Sequence, residues 1–166
     1  GTRVTFSNNK NPILIDGSTT SNDTGNHYIL YTGNTSYAGL FALGASDMNI
    51  NFKNINFGSS AYSASSFYGF CYSTSPRNSI TIQDVNYYAE TGGQPFFVTG
   101  SSSLLNFYGN NSFVVSSNGT NNQEFAEFDG TMNFKQGTKT SIVHKTGSSL
   151  AFLWTYSSIQ MNVEQN

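Results

Sequence analysis

Glu124, Glu127 and Asp129 form the densest acidic group in the chain. Residues two apart on a strand share a face, so Glu127 and Asp129 could serve as a glycosidase carboxyl pair or hold a hard cation. Two carboxylates side by side on a strand edge are more commonly just solvated, and that is the expectation here. His27 and His144 lie far apart and have no Cys, His or Asp companions at ligand spacing, which gives neither a catalytic zinc nor a Ser-His-Asp constellation. Cys71 is the only cysteine, so it makes no internal disulfide and no zinc-finger pattern; a small buried side chain is expected. Neither the dinucleotide nor the P-loop glycine spacing occurs, which removes nucleotide chemistry. The chain therefore reads as a non-enzyme without cofactor or metal.

The remaining candidates are binding residues, and composition limits what they bind. Only 10% of the 166 residues are charged, against roughly 25% in an ordinary soluble domain. Seven Lys+Arg against nine Asp+Glu leave a net charge of −2, which argues against a phosphate-contacting surface and hence against nucleic acid. Surface polarity must come from Asn, Ser, Thr, Gly and Tyr, which favour strands and turns and exclude long helices. No run of 18 apolar residues exists, so no membrane insertion is expected. The Asn-x-Ser/Thr triplets at Asn22, Asn34, Asn110 and Asn118 follow from composition alone.

A short apolar-polar-apolar segment recurs along the chain. Its copies are Val4-Thr5-Phe6, Ile50-Asn51-Phe52, Ile80-Thr81-Ile82, Leu105-Asn106-Phe107, Met132-Asn133-Phe134 and Met161-Asn162-Val163. Two positions further on stand Asn8, Asn54, Asp84, Gly109, Gln136 and Gln165, mostly types that tolerate left-handed backbone. A second apolar run is indexed by Phe41, Phe70, Phe97, Phe125 and Phe152. From first run to second the legs count 35, 18, 15, 18 and 18 residues, and back again 11, 12, 10, 9 and 11. The constant return implies a rigid corner, and the variable outward leg implies loops of differing length.

A period of about 25–30 residues without a helix is too short for a propeller blade and fits a parallel β-solenoid. The expected fold is all-β: one right-handed parallel β-helix of about six rungs over residues 1–166. The rival antiparallel sandwich needs several tight reversals, and only Asn118-Gly119 is an Asn-Gly flanked by strand-like runs. Alternation turns the outer members of each triplet inward and leaves two outward columns. One is Thr5, Asn51, Thr81, Asn106, Asn133 and Asn162; the other is Ser7, Lys53, Gln83, Tyr108, Lys135 and Glu164. Stacked amides can bond one another along the axis. The second column offers an amide, an aromatic face and ammonium groups, the donors and stacking platform that an extended saccharide needs. Lys53, Gln83, Asn106, Tyr108 and Lys135 are the candidate ligand-binding residues, joined by Tyr87 and Tyr88 from the tyrosine-rich legs. Tyr28, Tyr31 and Tyr62 belong to the same tyrosine-rich set.

The stretch Ser79 to Val115 carries Asp84-Val85-Asn86-Tyr87, Gly93-Gln94 followed by Phe96-Phe97, and Leu105-x-Phe107-x-Gly109-x-Asn111. With Phe52-Lys53-Asn54-Ile55 in the preceding rung, it resembles the pectate-lyase-like adhesive domains of Gram-positive surface proteins, especially those of lactobacilli. The resemblance implies a secreted, cell-wall-associated adhesin that recognises polysaccharide or glycoprotein glycans, and a chain that is one piece of a longer surface protein. True pectate lyases need calcium-binding Asp residues and an Arg or Lys base on the outward strand face. This grid has Lys53 and Lys135 but no Asp column, so lyase activity is not expected.

Overall fold

The computed structural model describes residues 4–18, 28–29, 40–58, 65–88, 91–115, 124–144 and 153–165. His27, Tyr31, Tyr62, Phe152, Asn22, Asn34 and Asn118-Gly119 lie outside the described residues. So do the side chains of Tyr28, Phe70 and His144. The strands run β1 (Val4–Phe6), β2 (Ile13–Asp16), β3 (Tyr28–Ile29), β4 (Phe41–Leu43), β5 (Asn49–Phe57), β6 (Ser65–Ser73) and β7 (Ser79–Tyr88). They continue as β8 (Thr91–Tyr108), β9 (Asn110–Val115), β10 (Ala126–Phe134), β11 (Lys139–His144), β12 (Leu153–Trp154) and β13 (Ile159–Val163). Every pairing among them is parallel, and partners lie one winding apart. The chain is an all-β parallel solenoid without a helix among the described residues, and the antiparallel sandwich is excluded.

The strands form three ladders. The first face stacks Ile13 on Ile50, Ile80, Leu105, Met132 and Met161, and Ile15 on Phe52, Ile82, Phe107, Phe134 and Val163. The second stacks Phe57, Tyr87, Phe113 and Ile142, and the third Val4, Phe41, Cys71, Phe96, Ala126 and Leu153. The windings that open at Asn49, Ser79 and Leu104 carry paired strand on all three faces.

Two expectations change here. Val4-Thr5-Phe6 pairs with Phe41-Ala42-Leu43 on the third face, and Ile13-Leu14-Ile15 takes its place on the first. The outward columns therefore begin at Leu14 and Asp16 instead of Thr5 and Ser7. Alternation alone cannot distinguish two faces that share it. The third-face index is also off by one: Phe96, not Phe97, points inward, and Cys71 occupies the position expected for Phe70. An irregularity between Tyr68 and Cys71 shifts the register there.

The core is one column of stacked side chains, with Phe52, Phe57, Phe96, Phe107, Phe113, Phe125 and Phe128 all fully buried. Burial of each such ring contributes about 1.5–3 kcal/mol. Ring stacking follows the strand spacing: Phe57 on Tyr87 at 5.3 Å and Phe107 on Phe134 at 4.8 Å, with planes within 7°. Cys71 is buried as expected, and burial pushes its thiol up to about 12.

Two corners fix the first face. After the first face Asn54, Asp84 and Gly109 have φ between 52° and 65°, and at the fifth expected position Gly137, beside Gln136, takes that role; Asn8 is also left-handed at φ 54° but follows β1 on the third face. The corner before the first face uses Asp47, Arg77 and Ser102 at φ 57–60°. Below it the buried Asn78 accepts Met48 N–H at 2.8 Å and donates to Ser73 Oγ at 2.7 Å and to the Ser75 carbonyl at 2.9 Å. Its own N–H donates to Ser103 Oγ at 3.3 Å, and its carbonyl accepts Leu104 N–H. This is the rigid corner that the constant return legs require.

Candidate functional site

The outward side of the first face holds most of the candidate residues in one place. The Asn column is built as expected of stacked amides: Asn162 Nδ2 donates to Asn133 Oδ1 at 2.9 Å, and Asn133 Nδ2 to Asn106 Oδ1 at 2.8 Å. Asn133 has an amide partner on each side, and Asn106 accepts one of these bonds through its Oδ1, which engages it in the ladder.

The second column runs Asp16, Lys53, Gln83, Tyr108 in register, and continues with Lys135 and Glu164. Tyr108 is 39% exposed and presents ring and hydroxyl to solvent. Lys135 Nζ lies 2.7 Å from Glu164 Oε1, which raises the lysine and lowers the carboxyl; Glu164 also accepts Gln136 N–H at 3.1 Å. At the other end of the column the Asp16 carboxylate is lowered mainly by its hydrogen bonds from Ser18, helped by Asn54 and by the charge of Lys53. The cations of this column are thus partly neutralised within it.

Tyr87 and Tyr88 do not join this surface. Tyr87 is 1% exposed and stacked on Phe57 in the core, because the second face turns its odd-numbered positions Val85 and Tyr87 inward. Burial raises its hydroxyl pKa and makes it unavailable to a ligand. Tyr88 is half-buried beside Val114 on the second face, away from the grid.

A third outward column was not anticipated: Asn49, Ser79, Leu104, Thr131 and Gln160. Beside it, between the grid and the rigid corner, opens a cleft of about 430 Å³ lined by Ser102, Leu104, Gly130, Thr131, Ser158, Ile159 and Gln160. Its volume falls within the roughly 300–1,000 Å³ of ligand sites. It carries hydroxyls, one amide and the apolar surfaces of Leu104 and Ile159, and no charged residue. Continuing the alternation one step before each triplet would have found the column. This cleft lies beside the constant corner.

The acidic group divides. Asp129 Oδ1 accepts hydrogen bonds from the Thr155 hydroxyl, from Tyr156 N–H at 3.0 Å and from Ser157 N–H at 3.1 Å, so this oxygen holds the corner backbone. Glu127 and Asp129, expected to be solvated, are 8% and 4% exposed, and Glu124 is 5% exposed. On the outward side of the third face Glu127 aligns with Tyr72 and Phe97, whose rings stack at 5.1 Å, and with Trp154.

Among the described residues no helix is long and apolar enough to cross a membrane. Comparison with known proteins finds no matching family model, no matching curated protein and no matching solved structure, so the parallel solenoid itself is what this chain demonstrably shares with the fold that the resemblance implied.

Proposed function

We propose that this chain is a non-catalytic adhesion module of an extracellular, cell-wall-associated protein, a right-handed solenoid of about six rungs that binds extended glycans along its first face. The observation that carries this reading is the uncharged cleft. Saccharide rings present hydroxyls around their edge and C–H groups on their faces. Ser102, Thr131, Ser158 and Gln160 meet the former, and Leu104 and Ile159 meet the latter. Tyr108, four residues along the same strand from Leu104, extends the surface with an aromatic platform, and Gln83 adds an amide beside it. A periodic surface suits a polymer with repeating units, and display in many copies turns weak single contacts into firm attachment.

The test is retardation of the isolated chain in native gels containing neutral or acidic polysaccharides, supplemented by a glycan array. Retardation by at least one polymer is expected, weakened by Leu104→Asp and by Tyr108→Ala without loss of the strand circular-dichroism signal. Clean failure across neutral and acidic polymers at several pH values refutes the reading. A stalk or spacer role is favoured by one observation, the Asn106–Asn133–Asn162 ladder, whose amides bond to one another. It predicts an undiminished fold and no ligand at all. A polysaccharide lyase or hydrolase would need Asp129 for catalysis, and one oxygen of that carboxylate is engaged by three donors from the corner.

A further inference from the structure

Two side chains on the third face, Gln94 and Glu127, each leave one buried oxygen without a hydrogen-bond donor. Gln94 is fully buried; its Nε2 donates to Glu124 Oε2 at 3.1 Å, while its Oε1 accepts no hydrogen bond. That single bond ties the amide to the Glu124 carboxylate of the next winding, and its orphan oxygen is on the same planar group. Glu127 is 8% exposed, and its Oε1 is also buried without a donor. Its charge is felt at Glu124, where burial first and Glu127 second raise the carboxyl pKa. Buried acceptors without donors are costly, and buried carboxylates without a counter-charge more so. The ion pairs among the described residues, Arg77–Asp47 and Lys135–Glu164, are elsewhere.

What these groups have in common is hard oxygen donors in need of positive charge. We propose that Gln94 Oε1 and the carboxylates of Glu124 and Glu127 form a binding site for a hard divalent cation of the calcium class. Oxygen-only donors exclude the soft metals, and Ca²⁺ tolerates an irregular set completed by water where Mg²⁺ demands near-ideal octahedral geometry. No three His, Cys, Asp or Glu side chains gather as a metal set among the described residues; here the amide oxygen is the third ligand. Few protein ligands and only two acids place the affinity near that of weak extracellular modules, a Kd of about 10⁻⁴–10⁻³ M. Gln94 and Glu124 belong to adjacent windings, stacked 30 residues apart, so the ion would clamp one winding to the next.

The experiment is calorimetric titration of the unmodified chain at pH 7 with CaCl2, with MgCl2 and NaCl at equal ionic strength as comparisons, alongside thermal unfolding. Expected are one calcium equivalent per chain, a saturable rise in the unfolding midpoint, and at least tenfold weaker binding of magnesium. Glu127→Gln and Gln94→Leu should each abolish the calcium-dependent rise while leaving the strand signal intact. Should either variant fail to fold, the titration of the unmodified chain still decides. Absence of saturable calcium binding up to about 10 mM, tenfold above the weaker of those affinities, overturns the proposal. A calcium response that survives unchanged in a folded Glu127→Gln variant overturns it equally, as does stabilisation by Glu127→Gln with no calcium effect in the parent chain, which would mean that a proton satisfies the site.

Discussion

Replacing Asn78 with Ala tests whether the rigid corner holds the first face together. Asn78 is fully buried and its side chain makes three hydrogen bonds. In the variant Ser73 Oγ keeps the Ser75 N–H as a donor at 3.2 Å, and the Ser75 carbonyl keeps the Ser73 hydroxyl at 3.3 Å. Those two losses cost about 0.5–1.5 kcal/mol each. Met48 N–H is different: its residue is 1% exposed, and the Asn78 oxygen is the acceptor it would lose. An orphaned buried donor costs about 1–3 kcal/mol. The sum is about 2–6 kcal/mol, moved toward the lower end if water enters the space left by the carboxamide. Urea unfolding followed by both circular dichroism and fluorescence measures it, provided the two transitions coincide. Asn49→Ala, an exposed amide on the adjoining strand, is the control and should change stability by less than about 0.5 kcal/mol. A loss below about 1 kcal/mol for Asn78→Ala would refute the account of the corner.

Gly130 lines the cleft at φ +144°, and a Cβ there would stand 2.1 Å from the Ser103 carbonyl oxygen. Gly130→Ala should cost about 2–5 kcal/mol in the same urea assay, from backbone strain and overpacking together. Glu124 titrates above the ordinary carboxyl value of 4.5, so the stability it contributes is complete below that value and is lost as pH rises through its folded pKa. In EDTA, Glu124→Gln should therefore raise the urea midpoint at pH 7 and leave it unchanged near pH 4; equal effects at both would contradict the assignment. Cys71, buried and pushed up to about 12, should resist thiol reagents at pH 8 in the native state and react within minutes in 6 M guanidinium, as absorbance of the released chromophore would report.

The parallel stacking was legible because solenoid repetition places like residues at like positions. Ile50, Ile80, Leu105, Met132 and Met161 were aligned from spacing alone and coincide in the ladder. The first winding was misread for a physical reason visible in the numbers. The 35-residue leg from Phe6 to Phe41 is about twice the others because it is a full winding, with Val4 paired directly to Phe41. The one-residue error at Phe97 has a different origin. Adjacent Phe96 and Phe97 are equally apolar, and only the shift near Cys71 decides which turns inward. Tyr87 was misplaced because an aromatic with a hydroxyl suits either a surface or a core, and composition does not choose between them. The meeting of Gln94 and Glu124 was not legible, since it depends on two windings coming into register.

The location of the cleft follows from how the solenoid spends its hydrogen bonds. In the middle column of the first face the amides satisfy one another, so a ligand there must break a bond to gain one. The hydroxyls of Ser102, Thr131 and Ser158 make no hydrogen bond with the described residues, and they stand on or beside a corner fixed by Asn78, Ser103 and Asp129. Binding groups on a prearranged frame lose little entropy when a ligand arrives, whereas loops of variable length would have to be ordered first. The Thr131 column and the Asn133 column of the first face should then differ sharply under mutation. Thr131→Ala should weaken glycan retention severalfold and leave urea stability within about 0.5 kcal/mol, as for other surface changes. Asn133→Ala, which strands amides on both sides of the ladder, should lower stability by about 1–3 kcal/mol from its two lost bonds and leave retention near normal. The reverse pattern would move the binding surface from the cleft to the amide ladder.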